Sequence, residues 1–266
     1  MRFLFSALFV FAASLSAHEC WLQPSTFSPA PGAPVSLGIR VGMDFTGEGR
    51  PMTRQRVARL LHGSATGRED WTERVPAKET GVPDLTLRLD TLGTHVLAYD
   101  SAPNLITLEA DKFHDYLRED GMDYVIALRE KAGSVGAPGR ERYRRCAKTI
   151  IQCGPAADPG FGFRTGQMIE IVPLANLAAV RPGSTLRFLV LFQQQPLPGT
   201  LVQAWHRADG RTSQLRAHTN AQGEAEFTLP AAGEWMISTV RMVAAADHTE
   251  ADWESYWGNL TFSLDK

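Results

Sequence analysis

The sequence predicts a mainly β fold built as two β-sandwich domains, the first carrying a helical insertion. Three observations predict it. Short runs of strand-forming residues recur between Gly and Pro along most of the chain. One segment alone switches to apolar spacing of three and four residues. A Gly- and Pro-rich stretch, Pro155 to Gly166, reads as a linker between two β-rich parts. The domains are therefore drawn at 18–155 and 165–266, behind a leader at 1–17.

The leader comes first. Arg2 supplies a positive start, Phe3 to Ala13 is almost wholly apolar, and Ser14-Leu15-Ser16-Ala17 ends in a small residue. That is the pattern of a secretory signal peptide. The apolar run is shorter than the roughly 20 residues a spanning helix needs, and no later segment reaches that length. An exported, periplasmic protein that does not span the membrane is expected.

Pro34 to Val41 then alternates apolar and polar residues, as a half-buried strand does. Asp84 to Leu89 and Thr94 to Tyr99 read as strands joined by Asp90-Thr91-Leu92-Gly93, and Leu105 to Leu108 as another. Between Glu109 and Lys131, Phe113, Tyr116, Leu117, Tyr124, Val125 and Leu128 recur at helical spacing, giving one amphipathic helix or two divided near Gly121. Arg140 to Arg145 is too charged for a core and leads into a strand at Ala147 to Gln152. Beyond the linker the strands are Ile169 to Val172, Thr185 to Phe192, Leu201 to Trp205, Ala225 to Leu229, Trp235 to Val243 and Trp257 to Leu264.

Composition excludes several functions. With 27 Lys plus Arg against 29 Asp plus Glu, the 266-residue chain has a net charge of −2 and lacks the basic excess that nucleic acid requires. An apolar content of 44% at near-zero net charge excludes disorder. Three cysteines are too few for a disulfide scaffold. On one strand, Cys146 and Cys153 would stand roughly 23 Å apart on opposite faces. They read as small buried thiols, with Cys20 the freer partner for either. No GxSxG, HExxH, CxxC, phosphate-binding loop or dinucleotide fingerprint is present, so a non-enzymatic protein is expected.

The most suggestive chemistry lies at the processing point. Cleavage after Ala17 would make His18 the N-terminal residue, whose amine and imidazole can chelate a transition metal. Glu19 can add a carboxylate. A further ligand must come from elsewhere, and His248, ringed by Asp247, Glu250, Asp252 and Glu254, is the candidate. The candidate metal residues are thus His18, Glu19, His248 and Asp252. Of the remaining histidines, His62, His114, His206 and His218 read as ordinary surface residues, and His95 as facing either core or solvent. Trp21, Trp253, Tyr256 and Trp257 read as core rather than as a ligand platform. Arg140, Arg142, Arg144 and Arg145 read as a salt-bridged face.

The stretch Ala17-His18-Glu19-Cys20-Trp21-Leu22-Gln23-Pro24, with Asp252-Trp253-Glu254-Ser255-Tyr256-Trp257 and Leu260-Thr261-Phe262, resembles a bacterial periplasmic family of unknown function. Leu97-Ala98-Tyr99, Arg140-Glu141-Arg142-Tyr143 and Ala147-Lys148-Thr149 add to the likeness. Members of that family carry labels such as nickel/cobalt-uptake-associated, NikM-like or periplasmic component of cobalt transport. The resemblance implies immunoglobulin- or prealbumin-like sandwiches, a Ni, Co or Cu ion, and a membrane transporter component as partner. Arg241 stands where many members carry His, and a guanidinium does not ligate a metal. Two rivals remain: a module binding a peptide, glycan or envelope partner, and a histidine-brace copper oxidase.

Overall fold

The computed structural model describes residues 19–79, 85–155 and 158–265. The leader and His18 lie outside them. The first half supplies β1 (Glu19–Pro24), β2 (Pro34–Met43), β3 (Thr46–Arg50), β4 (Val57–Ser64), β5 (Gly67–Asp70), β6 (Leu85–Arg88), β7 (Gly93–Ser101) and β8 (Asn104–Leu108). Helices α1 (Ala110–Glu119) and α2 (Asp123–Lys131) follow, divided near Gly121, the second of the two arrangements that the spacing allows. The long strand β9 (Gly139–Cys153) closes this half. The second half supplies β10 (Ile169–Pro173), β11 (Thr185–Phe192), β12 (Gln195–Pro196), β13 (Leu201–Ala208), β14 (Arg211–His218), β15 (Glu224–Thr228), β16 (Gly233–Ala244) and β17 (Trp253–Leu264).

These strands form three sheets. A nine-stranded sheet runs β14-β13-β16-β17-β9-β7-β4-β5, with β8 also on β9. A four-stranded sheet joins β1, β2, β3 and β6, and another joins β10, β11, β12 and β15. The chain is mainly β and built from packed sheets, as the sequence predicts. The nine-stranded sheet crosses the boundary drawn at 155–165, because β17 pairs with β9 in parallel from Trp253↔Glu141 to Thr261↔Thr149.

Strand parity shows which sheet covers which face. Along β9, Ala147, Ile151 and Cys153 enter a core with Leu22, Leu37 and Trp71 of the first half. Their neighbours Cys146 and Ile150 enter a second core with Ile171, Phe188 and Phe227. The long sheet is therefore the middle of three layers, and β9 is buried without interruption from Cys146 to Ile151. The helices pack on the first-half face, where Phe113, Leu117 and Val125 meet Met242 and Trp257.

Three readings are refined. The Arg140–Arg145 segment is strand, not a charged approach to one. The strands on either side of Asp90-Thr91-Leu92-Gly93 lie in different sheets and do not pair. The stretch read as a linker is held down: Asp158 accepts hydrogen bonds from Thr94 N at 2.6 Å and Gly160 N at 2.6 Å. Gly and Pro serve there to make a tight 3-10 turn at Pro159–Gly162. All three cysteines are buried free thiols, with Cys146 and Cys153 in different cores.

Candidate functional site

Strand β1 exists because Cys20, Trp21 and Leu22 are all buried while Glu19↔Gly42 to Pro24↔Leu37 pair it with β2. The β2–β3 hairpin turns on Asp44 and Phe45, both with positive φ, in the sense that matches strand twist. Phe45 accepts that backbone because its ring is fully buried edge-on to Trp21 at 5.3 Å, with the Arg207 guanidinium 4.3 Å above it.

This geometry brings four carboxylates to one cleft of about 170 Å³: Glu19, Asp44, Glu119 and Asp120, with Trp205 and Arg216 also on its walls. Glu19 is buried, and its Oε2 accepts from Asn259 Nδ2 at 2.6 Å. Burial lifts its carboxyl above the ordinary range despite that hydrogen bond. Asp120, at the C-terminal end of α1, lies well above its ordinary range, through burial first and then the charges of Glu19 and Glu119. Gln203 Nε2 donates to Asp120 Oδ1 at 3.4 Å. Arg216 donates to the backbone carbonyl of Glu119, where a helix end favours a cation. The buried Trp205 indole N–H and Asn259 Oδ1 have no hydrogen-bond partner among the described residues. The cleft is thus short of positive charge, and the carboxyls of Glu19 and Asp120 both lie above their ordinary range.

The loop bearing His248 and Asp252 is a different kind of place. Asp252 receives Arg140 Nε at 2.9 Å and Nη2 at 2.6 Å, and this pairing holds its carboxyl below the usual range. His248 is exposed, its Nδ1 3.9 Å from Asp252 Oδ1, and its backbone carbonyl accepts from Arg140. Arg142 pairs with Glu250 and Glu254 at 3.0 Å each. The acidic loop and the basic run of β9 therefore neutralise one another, as the salt-bridged reading has it for Arg140, Arg142 and Arg144. Asn259, which holds Glu19, and Asp252 are separated by roughly 23 Å of extended chain. Glu19 and the pair His248 and Asp252 are not brought together.

Other histidines are engaged locally. His62 and His95 are buried, and His62 Nε2 lies 2.8 Å from His95 Nδ1. His62 stacks on Trp71 at 4.3 Å, and His95 Nε2 lies 2.9 Å from the Thr91 carbonyl. His206 Nε2 lies 2.8 Å from the carbonyl of Ala232. Among the described residues no group of three or more His, Cys, Asp or Glu side chains is arranged to hold a metal ion. Trp21, Tyr256 and Trp257 are core, with Trp257 stacked on Tyr116 at 5.8 Å.

Sequence reasoning reached Glu19 but missed Asp44, Glu119, Asp120, Trp205 and Arg216. These come from a hairpin turn, a helix end and two strands, so no spacing signal links them. The His62–His95 pair was closer to reach: the β4–β7 register sets Ser64 opposite His95 and places both rings on one face.

Residues 15–242 match the family described as Domain of unknown function (DUF4198). No curated protein matches the chain. Among solved structures, the chain is similar to the tetra-tandem repeat in the extending region of a large adhesion protein, at 10% identity and a TM-score of 0.23. That match covers 94% of this chain and 50% of the other, so the chain spans about half its length. No helix among the described residues is long and apolar enough to cross a membrane.

Proposed function

The chain belongs to the DUF4198 family of unknown function, and from that premise we propose an exported, non-catalytic accessory protein that holds a divalent transition metal. The cation is nickel, cobalt or copper, handed on to a membrane uptake component in the periplasm. The observation that carries this reading is the acidic cleft at the head of β1, one residue beyond His18. Its four carboxylates face a single arginine.

The donor types suit such a cation. The amine and imidazole of a processed His18 supply nitrogen, and Glu19 and Asp120 supply oxygen, a combination suited to borderline first-row metals. Glu19 and Asp120 ligate as carboxylates, a form their surroundings disfavour, so metal capture strengthens as pH rises. His248 and Asp252 do not belong to this set, because Asp252 is committed to Arg140.

The test is calorimetric titration of Ni²⁺, Co²⁺ and Cu²⁺ into correctly processed protein. One variant adds an alanine before His18, and a second carries Asp120→Asn. Affinity falling by about tenfold or more in the extended variant, and measurably in Asp120→Asn, is expected. Equal affinity in all three proteins would overturn the site.

A further inference from the structure

Strand β1 has a second pocket beside it. Glu19 lines the acidic cleft; the next residue, Cys20, lines a larger cavity of about 610 Å³ where β2 and β3 approach β7 and β9. That volume falls in the range of small-molecule sites. The charged side chains on its walls are Arg50, Arg56 and Arg145, and among the described residues no Asp or Glu joins them. In a chain with more acidic than basic residues, three arginines around one cavity are a local inversion of charge. A guanidinium stays protonated throughout, so the positive potential persists at every working pH.

The three are differently held. Arg145 is half-buried, and its β9 backbone N–H donates to Ser101 Oγ at 3.0 Å. Its guanidinium lies 5.4 Å from the Tyr143 ring and hydrogen-bonds the Cys20 sulfur. Burial lifts the Cys20 thiol above its ordinary range, which disfavours its thiolate. Arg56 stands at the rim, 3.4 Å from the exposed Glu79 carboxylate, while its carbonyl accepts from Tyr99 OH at 3.4 Å. Arg50 ends β3 and is exposed. Tyr99 and Tyr143 give the cavity two flat walls. One half-buried cation, two exposed ones at the mouth and aromatic sides describe a receptor for a compact anion, because guanidinium forks match carboxylate and phosphate oxygens.

We propose that this cavity binds a small organic oxyanion carrying at least two negative charges, with Arg145 anchoring one end and Arg50 and Arg56 closing over the other. The site is separate from the acidic cleft: the two adjacent residues of β1 face opposite charges. It can therefore stand or fall independently of the metal reading.

The test uses full-length processed protein stripped of metal with EDTA and dialysed into low-salt buffer. Citrate represents polycarboxylates, glycerol 3-phosphate represents phosphate esters, and glycerol is the neutral control. Saturable binding of at least one of the two anions, but not of glycerol, is expected by calorimetry, weakening as salt is raised. The double variant Arg50→Glu/Arg56→Glu alters only exposed or rim positions and should keep the fold by circular dichroism while losing about tenfold or more in affinity. Arg145→Gln should abolish binding. No saturable binding of either anion, or binding undiminished in the folded double variant, overturns the proposal. Citrate binding alone would assign a carboxylate ligand, and glycerol 3-phosphate binding alone a phosphate ester.

Discussion

Two buried titratable residues, His62 and Glu141, make opposite contributions to the pH dependence of stability. Burial, assisted by the nearby His95, depresses His62 from an ordinary 6.5 to about 4. Between those values the unfolded chain takes up a proton that the folded chain refuses, so stability falls as pH drops, by up to about 1.4 kcal/mol per pH unit. Glu141 behaves in reverse. It accepts from Tyr116 OH at 3.2 Å and from the Ser255 hydroxyl, and burial raises its carboxyl from 4.5 to about 7. The folded state holds that proton more tightly between 4.5 and 7, so stability falls as pH rises through that window. Two outcomes follow from these signs. His62→Asn should flatten the loss of stability on acidification from pH 6.5 to 4, measured by urea denaturation at a series of pH values. Glu141→Gln, which keeps the acceptor for Tyr116 and Ser255, should gain stability relative to the parent at pH 8 and lose that gain at pH 5. A variant whose difference from the parent does not change with pH would show that Glu141 is not the titrating group. Neither residue stood out from the sequence, because strand pairing and a helix laid over the sheet create their burial.

At the scale of elements, β9 explains most of what sequence reading placed well and most of what it misplaced. Its second half, Ala147 to Gln152, reads as a strand because Ala147, Ile150 and Ile151 set apolar side chains on both faces. Its first half does not, because its arginines look solvated until β17 arrives alongside with Asp252 and Glu254 at matching positions. The exposed edge strand β14 was invisible for a related reason: Arg211 to His218 shows no apolar alternation and owes its form to pairing with β13. The helices, by contrast, were legible from Phe113, Tyr116 and Leu117 alone, since a helix carries its pattern locally. Within β9, Lys148 is wholly buried and pairs at 3.0 Å with the equally buried Glu170 of β10. Glu170 also accepts from Thr165 N at 2.6 Å and Gly166 N at 3.1 Å, so the pair stitches the middle sheet to the outer one. Glu170→Gln should cost about 3–5 kcal/mol, because it strands a buried ammonium. Adding Lys148→Met should restore part of that loss. A double variant whose cost equals the sum of its parts, in thermal or denaturant unfolding, would show that the two charges do not couple.

For the whole molecule, the sequence conveys two β-rich halves but not that they share a layer. The middle sheet is joined by a parallel pair whose partners lie more than a hundred residues apart, and such pairing leaves no trace in local spacing. The consequence is mutual dependence. Val96, Cys146 and Ile150 of the first half are buried in a core otherwise built from β10 to β17. Glu19 and Leu22 in turn lie under β17, where Thr261 Oγ1 donates to the Leu22 carbonyl at 2.7 Å. Cutting the chain near 156 would leave β9 with an open edge and one bare apolar face, and β17 with the same on its other side. Residues 18–155 and 158–266 expressed separately should therefore be aggregated or lack a cooperative thermal transition. Co-expressed, they should copurify as one soluble complex with the parent's far-ultraviolet circular dichroism. A half that folds alone with a sharp transition would mean that each outer sheet closes its own sandwich. The acidic cleft would then be lost on separation in any case, since Glu19, Asp44 and Asp120 come from one half and Trp205 and Arg216 from the other. Metal affinity recovered only in the co-expressed pair would tie the proposed site to the joined sheet, whereas the Arg50–Arg56–Arg145 cavity draws all its walls from the first half.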